Sequence, residues 1–198
     1  RLHRLAAEGL EQRCNKTVCA VEKLAHHYIQ AGDHERGLFY AKKAAHEAER
    51  VFAFDEAVAA YARARDCAEA LGLVAEQVAQ EEAIGKAYML HGETAFAGEH
   101  FERALAIATE PAVRARLQTE AAASLVTNGD QRGLEYIEQA LQSLDPVANP
   151  LETANALSTQ ARFHHLAGRH KKAIAILMRA NELIGPTAEG ERVSSFAA

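Results

Sequence analysis

The chain has 198 residues, of which 48% are hydrophobic and 25% are charged, and its formal net charge is −5 at pH 7. Its 43 alanines and its lack of tryptophan favour helices over a β-sandwich or barrel. The net negative charge gives this chain no electrostatic reason to bind nucleic acid or an anionic membrane.

Three further features of the sequence limit the class of protein to which it can belong. No stretch approaches about 18 uncharged apolar residues, and no basic start leads into an apolar core, so we expect no membrane span, no secretory signal and a cytoplasmic location. Cys14, Cys19 and Cys67 are odd in number and lack the Cys-x-x-Cys spacing of a zinc or redox site, so we expect no disulfide framework and predict thiols that are buried in the packing or idle. The first methionine is Met89, and we therefore expect the chain to be part of a longer protein.

The first predicted elements, in chain order, are a connector helix over residues 1–17 and a three-helix unit over 18–72. The three helices are predicted near 18–31, 34–50 and 53–71, with Phe52 and Phe54 packing the second joint. The remaining aromatic side chains also recur at helical spacing and are predicted to fill the core; they include Phe39, Tyr40, Tyr61, Tyr88, Phe96, Phe101 and Phe163.

Prolines and glycines punctuate the rest of the chain at a period of roughly 35 residues. Because a helix interior cannot hold proline, Pro111, Pro146, Pro150 and Pro186 predict joints between helix pairs. Each pair is broken once by glycine, at Gly92, Gly129 and Gly168, where we expect a left-handed turn. The predicted units are 73–111, 112–147 and 151–187, and residues 188–198 form a tail or the start of a further unit.

The same small and large residues recur when these units are aligned on their glycines. The aligned sets are Gly85, Tyr88, Gly92, Ala97, Phe101 and Ala104; Ala122, Leu125, Gly129, Gly133, Ile137 and Ala140; and Ala161, His164, Gly168, Ala173, Leu177 and Ala180. Small residues let two antiparallel helices approach closely, and the large residue fills the gap. One pair cannot bury its apolar face alone, so neighbouring pairs are expected to stack.

This pattern resembles the tetratricopeptide repeat (TPR), a helix pair of about 34 residues. The resemblance implies an all-α fold, a right-handed superhelical solenoid of TPR-like helix pairs with about ten helices. A solenoid whose end is left open exposes an apolar face, so we also expect a homodimer through such ends.

The N-terminal third resembles the start of the helical-repeat region in bacterial signal-transduction ATPases of the STAND type. These include large LuxR-like regulators similar to the maltose activator, SARP-type regulators, and ATPase segments fused to class III nucleotide cyclases. The residues that carry the resemblance are Arg1 to Arg4, Ala6, Ala7, Leu10, Leu24 to Tyr28, Ala31 to Asp33, Tyr40, Ala41, Ala44, Ala45 and Glu56 to Tyr61. The resemblance implies a sensor arm that binds a protein, a peptide or a small inducer.

The sequence indicates neither a catalytic site nor a metal site. The phosphate-binding loop of an ATPase is lacking, since Gln80 and Ala87 flank Gly85-Lys86 where glycine and a hydroxyl are needed. The pairs His26-His27 and His164-His165 are adjacent, so their side chains point about 100° apart on a helix and neither pair can chelate as an i, i+4 pair would. We therefore expect a non-catalytic chain without a cofactor or bound metal.

The repeat pattern predicts a partner-binding groove more specifically than it predicts any catalytic or metal site. In a stack of such pairs the first helices line the concave face. Projecting that geometry onto the sequence selects Lys23, His26, Gln30, Glu82, Lys86, Met89, Arg116, Thr119, Thr127, Asn155, Thr159, Arg162 and His165. Two functions follow: an interaction or inducer-sensing arm of a STAND-type regulator, or a free-standing adaptor for a protein or peptide partner.

Overall fold

A computed structural model describes residues 1–14, 20–126 and 129–185, except for the side chain of Cys14. All regular elements within these ranges are α-helices, as the composition predicted. The chain divides into two compact units, Arg1–Glu93 and Thr94–Ala198. None of the helices in the described ranges combines the length and the apolar character needed to cross a bilayer.

Among the described residues, each unit contains five helices that pack on their neighbours along the chain. The first unit consists of α1 (Leu2–Cys14), α2 (Val21–Gln30), α3 (His34–Arg50), α4 (Phe54–Ala70) and α5 (Val74–His91). The second consists of α6 (Thr94–Ile107), α7 (Pro111–Val126), α8 (Arg132–Ser143), α9 (Pro150–Leu166) and α10 (His170–Ile184). In the second unit α7 also packs against α9, which is the first helix of the next predicted pair.

The unit boundary falls between α5 and α6, inside the predicted repeat 73–111. The other predicted segments correspond to whole helices. α1 lies within 1–17, and α2 to α4 lie within 18–72. α7 and α8 match 112–147, and α9 and α10 match 151–187, except that α7 and α9 each begin one residue earlier, at Pro111 and Pro150. The tail 188–198 lies outside the described residues.

The predicted punctuation determines where helices begin and end. Gly92, Gly129 and Gly168 have φ angles of 86°, 65° and 74°, which confirms the left-handed turns. These angles are strained for a residue with a Cβ atom, so glycine permits the chain to reverse there. Pro111 and Pro150 are the first residues of α7 and α9, where the missing N–H costs nothing.

Of the remaining two prolines, Pro146 is consistent with the same rule. Pro146 lies between α8 and α9, and Pro186 lies outside the described residues. In the first unit, the Asp33 side chain caps α3 by accepting a hydrogen bond from the Arg36 N–H at 3.2 Å.

The three predicted N-terminal helices are confirmed as α2, α3 and α4, but one of the two joint aromatics was assigned wrongly. Phe52 is 95% exposed at a φ of 57°, so it packs nothing. Phe54 instead stacks on the imidazole of His91, with ring centroids 4.1 Å apart. A reversal as short as the one between α3 and α4 leaves one of two nearby side chains facing solvent.

The second unit shows how closely two helices approach at the aligned small residues. Ala122 and Ile137 are fully buried, and Gly133 lies on α8 against the ring of Phe163 on α9. A Cβ atom built on Gly133 would lie 2.1 Å from Phe163 Cζ. Real contacts of this kind do not occur, so any side chain at Gly133 must displace the ring.

We predict that Gly133→Ala destabilises the second unit. The Phe163 ring is 6% exposed and belongs to a cluster with Ala122, Val126 and Ile137, so it has little room to move. Overpacking of this kind costs about 1–3 kcal/mol, more than the gain in helix propensity from replacing glycine. Thermal and urea unfolding followed by circular dichroism would measure the loss.

Gly9→Ala is the matched control, because Gly9 also lies in a helix and nothing lies within 4 Å of a Cβ atom built there. It should be neutral or stabilise the chain by up to about 1 kcal/mol. Equal effects of the two substitutions would contradict the close approach at Gly133.

Candidate functional site

The structure places the predicted groove residues in three different environments. Lys23, His26, Gln30, Lys86, Arg116, Asn155, Arg162 and His165 are exposed, Met89 is half-buried, and Glu82, Thr119 and Thr159 are buried. Thr127 lies outside the described residues. Exposed members occur in both units, whereas the three buried side chains are not presented to a partner.

The buried members need correction for a physical reason. The Thr119 hydroxyl donates a hydrogen bond to the Ala115 carbonyl oxygen at 3.0 Å within α7. The Glu82 carboxylate accepts one from Lys86 Nζ at 2.7 Å within α5. Since α7 and α9 each pack against three other helices, only a narrow face of each remains exposed. The regular spacing used for the projection therefore selected too wide a face.

A wide groove lies along α3 in the first unit. It has a volume of about 700 Å³, and we call it the α3 groove; its lining residues are Glu35, Leu38, Phe39, Lys42, Lys43, His46, Glu47 and Arg50. Phe39 is 62% exposed, so its assignment to the core was wrong. Sequence reasoning missed this groove because it assigned every aromatic at helical spacing to the core.

Charges border the α3 groove. Lys42 Nζ donates hydrogen bonds to both carboxylate oxygens of Glu76 on α5, at 2.9 and 3.0 Å. Lys43 and Arg50 are exposed, and neither has an acidic partner among the described residues. Because Phe39, Lys43 and Arg50 are separated by four and seven positions, they lie on one face of the helix.

A carboxylate on α1 joins the first three helices. Glu11 accepts hydrogen bonds from the hydroxyls of Tyr28 on α2, at 2.6 Å, and Tyr40 on α3. The two phenol rings stack with centroids 5.6 Å apart, and Arg36 Nη1 donates to the Tyr28 hydroxyl at 2.9 Å. α1 is therefore fixed to both α2 and α3 by a polar contact that the sequence did not indicate.

This contact shifts the pKa values of its members. The Tyr28 and Tyr40 hydroxyls lower the pKa of Glu11, because they stabilise the carboxylate. Burial, and next the hydrogen bond to Glu11, raise the pKa of Tyr40 to about 12. Both shifts favour a charged Glu11 carboxylate beside neutral phenol hydroxyls.

Three imidazoles meet where α1 crosses the middle of α2. His3 Nδ1 and His27 Nδ1 lie 2.9 Å apart and share a hydrogen bond, and the His26 ring lies 5.9 Å from that of His3 and 5.4 Å from that of His27, between centroids. The pKa of His27 is lowered, first by partial burial and then by the charges of His3 and His26. Sequence reasoning considered only ligands on the same helix, so it missed His3.

Cys67 is the one cysteine whose side chain the structure describes. It is buried, and burial raises the pKa of its thiol to about 11. A protonated, enclosed thiol is a poor nucleophile, so Cys67 has the packing role predicted for it. Cys14 and Cys19 lie outside the described side chains.

Comparison of the chain with protein-family models and with curated protein sequences gave no match. The resemblance to TPR proteins and STAND-type regulators therefore stays a prediction from the residue pattern.

We predict that Glu11→Gln weakens the fold in a pH-dependent way. Because the folded pKa of Glu11 is lowered, its charge stabilises the fold above the unfolded pKa of about 4.3, and this contribution is lost as pH falls through the folded pKa. The substitution should lower the free energy of unfolding by about 1 kcal/mol near neutral pH and by much less near pH 3. Urea unfolding at the two pH values would measure both differences.

Glu8→Gln provides the control. Glu8 lies on the same helix and forms no hydrogen bond or ion pair with any residue that the structure describes. Its replacement should change stability by less than about 0.5 kcal/mol at either pH. If the unsubstituted chain and Glu11→Gln differ in free energy of unfolding by the same amount at both pH values, the charge of Glu11 plays no part.

Proposed function

We propose that this chain is a non-catalytic, TPR-like interaction arm that binds a protein or peptide segment, as part of a bacterial STAND-type regulator. The helix lengths, the left-handed glycine turns and the proline joints support TPR-like pairs. The packing of α7 against α9 supports the stacking of successive pairs in the second unit. The residue pattern of the N-terminal third supports the STAND-type context.

The observation that carries the binding role is the exposed face of the α3 groove. Phe39 is 62% exposed in the lining of the α3 groove, so it offers an apolar side chain whose burial would stabilise a bound partner. Lys43 and Arg50 lie along the same helix and supply positive charge beside it. The matching partner is a peptide with an apolar side chain for Phe39 and an acidic side chain for Lys43 or Arg50, which lie four and eleven residues beyond Phe39 on α3.

The test is a selection of displayed random peptides on the purified chain, followed by affinity measurements by fluorescence anisotropy. Enriched peptides should combine an apolar residue with Asp or Glu. Phe39→Ala should weaken their binding by at least about tenfold, or about 1.4 kcal/mol, as loss of a buried aromatic anchor does. Lys43→Ala should reduce the dependence of binding on salt.

Ile174→Ala is the matched control, since Ile174 on α10 is exposed to a similar degree, 59%, but lies in the other unit. It should leave the affinity unchanged. Peptides that bind equally well to the chain and to Phe39→Ala would contradict the proposed groove.

A free-standing adaptor and a small-inducer sensor are the alternatives. The coding sequence on either side of this segment distinguishes the adaptor from an arm of a larger regulator. The STAND-type proposal requires a phosphate-binding ATPase module upstream, and a flanking sequence without that module would contradict it. Binding of a small molecule at the exposed residues of α7 or α9, with no peptide bound at α3, would favour an inducer sensor.

A further inference from the structure

Three histidines from two helices form a cluster between the first turn of α1 and the second half of α2. Each of His3, His26 and His27 offers one ring nitrogen, and these three atoms lie within 4.8 Å of one another. Among the described residues this is the one group of three such side chains close enough to share an ion. It is distinct from the α3 groove, whose lining residues lie on another helix.

The spacing of the nitrogens suits a small divalent ion. A zinc–imidazole bond is about 2.0–2.1 Å long, so two nitrogens in a tetrahedral site are about 3.4 Å apart. His3 Nδ1 and His27 Nδ1 lie 2.9 Å apart, which is shorter than this tetrahedral spacing. The largest separation among the three ligand nitrogens is at most 4.8 Å, a limit that is longer than the tetrahedral spacing. The observed distances bracket the value for a tetrahedral site, so rotation of the three rings is the adjustment that such a site would require.

His3 is held in position by the contacts of two residues further along α1. His3, Ala7 and Glu11 are spaced by four residues, so they share one face of α1. Ala7 is fully buried, and Glu11 is bonded to Tyr28 and Tyr40. Two fixed positions on the same face hold the first turn of the helix over His26 and His27, so the cluster does not depend on a loop.

The adjacency of His26 and His27 does not prevent joint ligation in this arrangement. Their ring centroids lie 5.4 Å apart, and the His3 ring lies 5.9 and 5.2 Å from them, so it approaches both. The third ligand thus faces the pair from the opposite helix. His26 is exposed and His27 is half-buried, which leaves a side open to solvent.

We propose that His3, His26 and His27 bind one divalent transition-metal ion of the zinc class and that the ion clamps α1 onto α2. Neutral imidazole suits zinc, copper and nickel, whereas an all-nitrogen site with no carboxylate disfavours magnesium and calcium. Three protein ligands leave a fourth position for water or for a ligand from a partner. An ion that binds the folded chain and not the unfolded chain raises its stability by mass action.

The test is a titration of the untagged full chain, stripped with a chelator, with zinc chloride in a calorimeter. We expect one ion per chain and a rise in melting temperature with zinc. Cobalt in place of zinc should give the intense visible absorption of a tetrahedral site. His3→Ala and His26→Ala should each weaken zinc binding by about 100-fold or more, since even the loss of a group that only orients a ligand costs 10–100-fold.

The matched control is the double variant His165→Ala, His170→Ala. These two imidazoles also approach each other, with Nδ1 atoms 3.2 Å apart, but they belong to the second unit. Their loss should leave the stoichiometry and the zinc affinity unchanged. Circular dichroism without metal should show the same helix content for every variant.

Two outcomes would overturn the proposal. One is that the stripped chain takes up no zinc in a saturable way. The other is that zinc binding is unchanged in His3→Ala and His26→Ala but lost in the control variant. Magnesium should neither bind nor compete, and competition by magnesium would likewise contradict a site built from imidazole.

Discussion

The distance between neighbouring helices is limited by the side chains that meet at their contact, and at α8 and α9 that limit is set by glycine. The Phe163 ring occupies the space that a side chain at Gly133 would need. At the corresponding positions elsewhere in the second unit, Ala97 and Ala173 are buried. Small residues at the contacts let neighbouring helices lie close, and larger side chains such as Phe101 and Ile137 fill the remaining space.

The first helix is held by a different balance of interactions. Ala7 is its one buried residue in the described part, Leu10 packs half-buried against the same core, and Leu2 and Leu5 are exposed, so few apolar side chains hold this helix. Burial of one methyl group contributes about 0.8 kcal/mol, whereas a hydrogen bond to a charged group contributes about 1.5–3 kcal/mol. Glu11 accepts two such bonds, so polar contacts decide the position of α1. The proposed metal site depends on them, because they place His3.

Local features of the fold could be predicted from sequence. Glycine and proline act through the backbone of their own residue, so Gly92, Gly168, Pro111 and Pro150 marked turns and helix starts regardless of what packs nearby. The helix boundaries of α2 to α4 followed from the same punctuation and from helical periodicity. These signals report on the nearest few residues, and they are sufficient to place elements along the chain.

The exposure of individual side chains could not be predicted in the same way. Phe39 and Phe52 have the same apolar character as Phe101, yet they are exposed because of which neighbours their helices and turns meet. Thr119 and Thr159 have the spacing of surface residues but lie beneath an additional helix contact. The histidine cluster requires His3 to be brought beside residues more than twenty positions away, and no spacing within one helix encodes that meeting.

The helix contact at Gly133 and Phe163 is the most direct place to test how this fold is built. A double-mutant cycle would combine Gly133→Ala with Phe163→Leu and measure the free energy of unfolding of all four chains. If the ring and the missing Cβ occupy the same space, the smaller leucine relieves the clash, and the two effects fail to add by about 0.5–3 kcal/mol. Additive effects, with the full cost of Gly133→Ala retained beside leucine, would contradict the account.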